Sequence, residues 1–474
     1  VLATKLWDRI HWGDSKQFRR ALVAWLVFIP LNVLTVLACY WLLRLLEIRA
    51  HLAALTALAW LLGTTVLPYA QVPFQNNQVL LFVTLSYACV LARARTGKPL
   101  YGVLSGAAAG FALLVRATAA IHVLTIGLFL LLSLWVEKER KQAALRALAS
   151  WAVGFLPLAI LGRLFDFARY GSLWTTGQTV WLQHINSDPL FAGLPLLPQG
   201  FPFTNDASVG VVGVLFSPAK SVFIYDPLLL PCLIVAWIAW RDLGPYVRGL
   251  ILLGLLNLAL HVAMTSRLDF WHGDGAWGAR YHVTSVDLLL IPLMALLVRA
   301  AWLRYAPARW GARAILTAGI AVQAAAVCLP FGVEFLEEVV QLQRPCAQEF
   351  WDSRLDFRLG NRVRNLSCLV TGSNLAGCPA AVIAATSHSS TVCLEDVQAL
   401  QRDFHWAFYP FAPRAGPKTF AFELGTWSLS LILAIGATAF ATVCYAASSA
   451  RAAAAGADGV ETALTGLKRR AVER

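Results

Sequence analysis

The stretch Leu268–Tyr281, LDFWHGDGAWGARY, concentrates side chains able to do recognition chemistry beside a membrane. Arg280 is a fixed cation with a planar donor fork, a shape that matches phosphate oxygens. Gly273, Gly275 and Gly278 allow a tight turn and a close approach of backbone to ligand. Trp271 and Trp277 suit a membrane–water interface, where an amphipathic ring has both of its surroundings. The plainer reading is an interfacial loop, with tryptophan anchors and Arg280 snorkelling to headgroups. A second such stretch is Gly210–Pro227, GVVGVLFSPAKSVFIYDP. It is apolar, yet Pro218, Lys220, Asp226 and Pro227 interrupt it. Broken backbone of this kind is tolerated in a bilayer only where it is buried in protein or lines a wet cavity. The stretch reads as a re-entrant hairpin followed by a span. Lys220 is then either a functional cation or half of a structural ion pair with Asp226.

These residues must be positioned by membrane helices. The chain has 474 residues, 58% hydrophobic and 14% charged, with a mean hydropathy of +0.63. Soluble domains carry about a quarter charged residues, so the composition describes a polytopic all-α membrane protein. The net charge of +13 does not point to nucleic acid, because the basic residues fall between apolar runs rather than in one stripe. Apolar runs occur near 21–43, 51–70, 77–92, 99–115, 118–136, 147–165, 222–240, 247–265, 282–298, 315–331 and 425–447. That gives about 11 expected spans, each close to the roughly 20 residues a helix needs to cross.

Alternate connections are rich in arginine and lysine: Arg44 and Arg49, Arg93 to Lys98, Lys138 to Arg146, Arg241 and Arg248, and Arg299 to Arg313. The tail after the last run adds Arg451, Lys468, Arg469, Arg470 and Arg474. The positive-inside rule assigns these to the cytoplasm. The plasma (inner) membrane is the expected site, with Val1 outside. Against this, the leading segment is itself basic (Lys5, Arg9, Lys16, Arg19, Arg20). An outer Val1 calls for a preceding span, so the chain is expected to be an N-terminally shortened piece.

Three divisions are expected: a transmembrane core over 1–331, an outer loop domain over 332–422, and a last span with a cytoplasmic tail over 423–474. The loop domain holds Cys346, Cys368, Cys378 and Cys393. Four cysteines outside the cytoplasm predict two disulfides, in any of three pairings. No CxxC spacing calls for zinc, and the other five cysteines lie in spans as small apolar residues. Asn365-Leu366-Ser367 is a formal glycosylation sequon. His122 reads as an interhelical hydrogen-bonder, and Arg116 can face headgroups or a cavity. No P-loop, dinucleotide fingerprint, HExxH or nucleophile elbow is present.

Taken in order, LLVRATA, DFARYGS followed by TTG, GVLFSPAKSVFIYDP, and the W-x-G-x-G-x-WGARY pattern resemble a family of bacterial multispan glycosyltransferases. The family belongs to the glycosyltransferase C superfamily, with the protein O-mannosyltransferases and aminoarabinose transferases. The resemblance spans about Ala21 to Val298 and leaves the cysteine-bearing loop uncovered. It implies an inverting transfer of sugar from a polyprenyl-phosphate donor to a lipid, glycan or protein acceptor at the outer face, with neither metal nor cofactor. It also implies a general-base aspartate in a loop upstream of Val1. Arg280, Lys220 and Arg169 become candidates for the donor phosphate. Trp271, Asp274, Trp277, Tyr281 and Asp166 become candidates for sugar or acceptor contact. Departures from the family pattern fall at Asp166, Leu173, Asp274 and Ala279, which makes transfer of a relative's substrate unsafe. The competing reading is a transporter or flippase of lipid-linked glycans; its usual internal repeat is not visible here.

Overall fold

A computed structural model describes residues 15–341 apart from 73, 178, 181–201, 274–275, 304 and 332. It also describes 358–371 and scattered positions in 5–9, 378 and 397–432. The chain divides into two compact units, Val1–Leu22 with Phe408–Arg474, and Val23–Ala407. The described part of the first is chiefly the helix α1, Ser15–Val23. The described part of the 332–422 segment up to Ala407 therefore lies in the same unit as the apolar helices.

Every regular element among the described residues of the second unit is a helix. In order they are α2 (Ile29–Leu45, entered through a π turn at Ala24–Phe28), α3 (Ala50–Gly63), α4 (Val66–Ala70), α5 (Asn76–Thr96), α6 (Pro99–Val115), α7 (Ala120–Val136) and α8 (Lys141–Tyr170). Then come α9 (Ala207–Phe216), α10 (Val222–Tyr225), α11 (Leu229–Ile238), α12 (Pro245–Thr265), α13 (Val283–Ala300), α14 (Ala306–Cys328), α15 (Val333–Gln341) and α16 (Arg358–Thr371). Proline opens α6, α12 and α14, where the missing N–H is no loss. Gly97 and Gly171, both left-handed, close α5 and α8.

Seven helices among the described residues are long and apolar enough to cross a membrane, and the chain is a multi-pass membrane protein. Of the other expected spans, 425–447 is described only at 425, 428, 429 and 432. The remaining three are shorter helices. The run 51–70 breaks where Thr64 is extended, 99–115 stops at 17 residues, and 222–240 is divided at Asp226-Pro227 into α10 and α11. Periodic apolarity alone cannot register such breaks. Over Gly210–Pro227 the chain forms α9, a turn at Ser217–Ser221 and the short helix α10.

The core centres on α13, whose residues are nearly all buried against α3, α5, α11, α12 and α14. A second tight contact joins α6 and α8. A Cβ added at Gly154 would lie 2.0 Å from the Val103 carbonyl oxygen, and one at Gly106 1.9 Å from that of Trp151. Small residues let the two backbones touch, which drives helix association where there is no water to expel. Gly154→Ala should therefore lower stability by about 1–3 kcal/mol through overpacking. Gly127→Ala, with nothing within 4 Å of its new Cβ, should be neutral. Thermal unfolding in one detergent compares them, and equal melting temperatures would refute the tight crossing.

Beyond the bundle, α15 packs with Val397, Leu400 and Phe404 around a small apolar core, and α16 packs on α15 and α14. Cys368 and Cys378 are disulfide-bonded, with 5.9 Å between their Cα atoms. Cys346 and Cys393 lie outside the described residues. Asn365 of the formal sequon is fully buried, and its amide donates to Glu337 Oε2 at 2.8 Å, so the folded chain offers no glycan acceptor there. Mass spectrometry without reduction should find Cys368 and Cys378 in one cross-linked peptide; free thiols at both would remove the bond.

Candidate functional site

The last turns of α6 and α8 meet the start of α5 and the residues leading into α13 around a cavity of about 760 Å³. Arg116 enters from the end of α6, Arg163, Asp166 and Arg169 from α8, and Arg280 and Tyr281 from the 3₁₀ turn before α13. Asp166 is paired with Arg163, Nη2 to Oδ2 at 2.5 Å, three residues apart on one helix. Arg116, Arg169 and Arg280 meet no carboxylate among the described residues.

Aromatic faces hold these guanidinium groups instead. Arg280 lies 5.0 Å from the Phe74 ring centre and 5.2 Å from that of Tyr281, and Arg116 lies 5.4 Å from Tyr281. Arg169 lies 5.1 Å from Tyr170. Such contacts orient a cation without neutralising it. Burial, and then the like charge of Arg280, lower the Arg116 guanidinium from its usual value; the group keeps its proton even so. An anion placed between Arg116 and Arg280 would relieve that repulsion. Asn76 fixes the Arg280 backbone, its amide donating to the Arg280 carbonyl at 2.7 Å. Gly273 (φ 70°) and Gly278 (φ 62°) supply the left-handed turns of the preceding loop. A Cβ at Gly278 would come within 2.8 Å of Tyr225 Cβ.

The other expected contact residues lie elsewhere. Trp271 is buried with its ring over Gly213, where an added Cβ would be 2.0 Å from the indole. It borders a small apolar groove with Val209, Val212 and Phe216 of α9. Trp277 is buried edge-on to Tyr225, ring centres 5.0 Å apart, with the Arg362 guanidinium 5.4 Å from it. Neither ring is an interfacial anchor. Asp274 lies outside the described residues.

Lys220 is also buried and does not line the arginine cavity; its Nζ donates to the Ala276 carbonyl at 2.7 Å. No ion pair joins it to Asp226, which turns instead to Thr65. Burial brings His272 down to about 4, and the charges of Lys220 and Arg358 add to the effect. The imidazole beside Lys220 is therefore neutral at physiological pH.

Of the predicted site residues, the cavity collects Arg280, Arg169, Tyr281 and Asp166, together with Arg116. Arg163, Phe74, Asn76, Tyr170 and Thr176 were not anticipated from sequence. The spacing Arg163–Asp166–Arg169 places all three on one helix face and was the available signal. Phe74 and Asn76 left none, because an aromatic and an amide ahead of an apolar run are ordinary. The chain matches no protein-family profile, no curated protein and no solved structure.

Proposed function

We propose that this protein is a membrane glycosyltransferase that takes sugar from a polyprenyl-phosphate donor and works at the non-cytoplasmic face of the plasma membrane. The observation that carries the reading is the set of three arginines without carboxylate partners among the described residues, Arg116, Arg169 and Arg280, around one cavity among the ends of apolar helices. A lipid phosphate leaves its tail among helices and its anion at their ends. Charge grows on that phosphate as the glycosidic bond breaks, and prearranged guanidinium groups stabilise the growing charge most. Tyr281 and Tyr170 line the same space and offer faces to a sugar ring. Asp166, already neutralised by Arg163, is a polar contact for the sugar or acceptor rather than the base.

Reconstitution of the full-length gene product in proteoliposomes tests this. With a labelled polyprenyl-phosphate sugar and a membrane extract as acceptor, the label should leave the lipid and free polyprenyl phosphate should accumulate. Intact donor that crosses the bilayer uncleaved would overturn the enzyme and support a flippase of lipid-linked glycans.

A further inference from the structure

Two carboxyl groups outside the arginine cavity lie buried at the junction of three segments. Asp226 sits in the break between α10 and α11, Asp287 one turn into α13, and Thr65 between α3 and α4. Asp226 and Asp287 are 3% and 0% exposed. Neither meets a lysine or arginine among the described residues.

Asp226 is satisfied as a carboxylate. The Thr65 backbone N–H donates to its Oδ1 at 2.8 Å, and the Thr65 hydroxyl donates to its Oδ2 at 2.9 Å. Asp287 is not. Its Oδ2 lies 3.2 Å from the Thr65 hydroxyl, whose single proton is directed at Asp226. The neighbouring Thr64 hydroxyl gives its proton to the Trp60 carbonyl at 2.8 Å. Asp287 Oδ1 is buried with no hydrogen-bond partner at all. An ionised carboxylate there would share the Thr64 and Thr65 hydroxyls with other acceptors, meet no cation among the described residues, and face a second carboxylate across one hydroxyl. Burial of such a charge costs far more than protonation of the acid.

We propose that Asp287 and Asp226 form a proton-binding site, in which Asp287 carries the proton and donates it to the Thr65 hydroxyl while Asp226 stays ionised. The junction then holds one negative charge, and a chain of two donated hydrogen bonds runs Asp287 to Thr65 to Asp226. Loss of the proton puts two carboxylates against one hydroxyl and drives α13 away from the α10–α11 break. The titratable groups facing the pair are Cys39 on α2 and Tyr69 on α4. Neither of them supplies a positive charge.

An acid whose proton is held more tightly in the folded than in the unfolded state lends stability that is lost as pH rises through its folded value. Purified wild-type protein should melt several degrees lower at about pH 9 than at about pH 6. Asp287→Asn supplies the same donor from an amide that does not titrate, so its melting temperature should equal wild type at the lower pH and lose the added fall at the higher. An unchanged pH dependence in Asp287→Asn overturns the proposal. If that variant does not fold, infrared spectroscopy of the wild type decides. A protonated-carboxyl stretch at neutral pH that shifts in deuterated buffer, fades at alkaline pH and moves in frequency in Asp287→Glu supports the site; its absence in the wild type at neutral pH refutes it. Stabilisation by sodium but not choline chloride would assign the pair to a metal cation and also refute it.

Discussion

Arg362→Ala should release α16 from the helices beneath it and cost about 3–5 kcal/mol of local stability, because it strands a buried glutamate. The Arg362 guanidinium is buried and meets Glu334 twice, Nε to Oε1 at 2.5 Å and Nη2 to Oε2 at 2.7 Å. Its Nη1 donates to the carbonyls of Ala326 and Leu329 at 2.8 and 2.9 Å, which closes the end of α14. No single partner of alanine size replaces any of this. Hydrogen exchange over residues 358–371 should accelerate sharply, while exchange in α13 stays slow. The double variant Arg362→Met with Glu334→Leu removes both charges and should recover most of the protection. Unaltered exchange in Arg362→Ala would show that the pair does not hold the helix. Because Arg362 also covers Trp277, the loop that ends in Arg280 should gain exchange in the single variant.

Arg280→Ala should lower sugar transfer by about 30- to 1000-fold, or about 2–4 kcal/mol of transition-state stabilisation, if phosphate contact strengthens as the donor leaves. Arg280→Lys keeps the charge but loses the fork, and should fall between the two. The effect belongs in kcat more than in KM, because growing charge is what the guanidinium sees. Transfer at the wild-type rate by Arg280→Ala in the full-length protein would sink the assignment. Arg280 would then be an arginine held only by Phe74 and Tyr281.

Much of this was legible in the sequence, and the reasons for the rest are physical. Polar residues at the ends of apolar runs have few places to go, so Arg116, Asp166, Arg169 and Arg280 were found at one end of the bundle. Which of them share a cavity depends on helix packing, and that depends on glycines such as Gly106 and Gly154, whose contacts lie some fifty residues apart. The tryptophans misled for the same reason. Trp271 is buried because Gly213 leaves it room, and Trp277 because Tyr225 and Arg362 close over it. Lys220 found a carbonyl 56 residues away rather than the acid six residues on. Span length was read from hydropathy alone, which does not see the backbone turn at Thr64 or the division at Asp226-Pro227.

The two walls that carry the cavity's cations are held very differently. In α13 with its leading turn, 83% of the apolar window is covered by protein; in α8 the share is 11%. Arg280 stands on the most covered of the seven long apolar helices, and Arg163 and Arg169 stand on the least covered. The glycine seam with α6 is the chief contact of α8 among the described residues, so the cavity's α8 wall is the one least backed by protein.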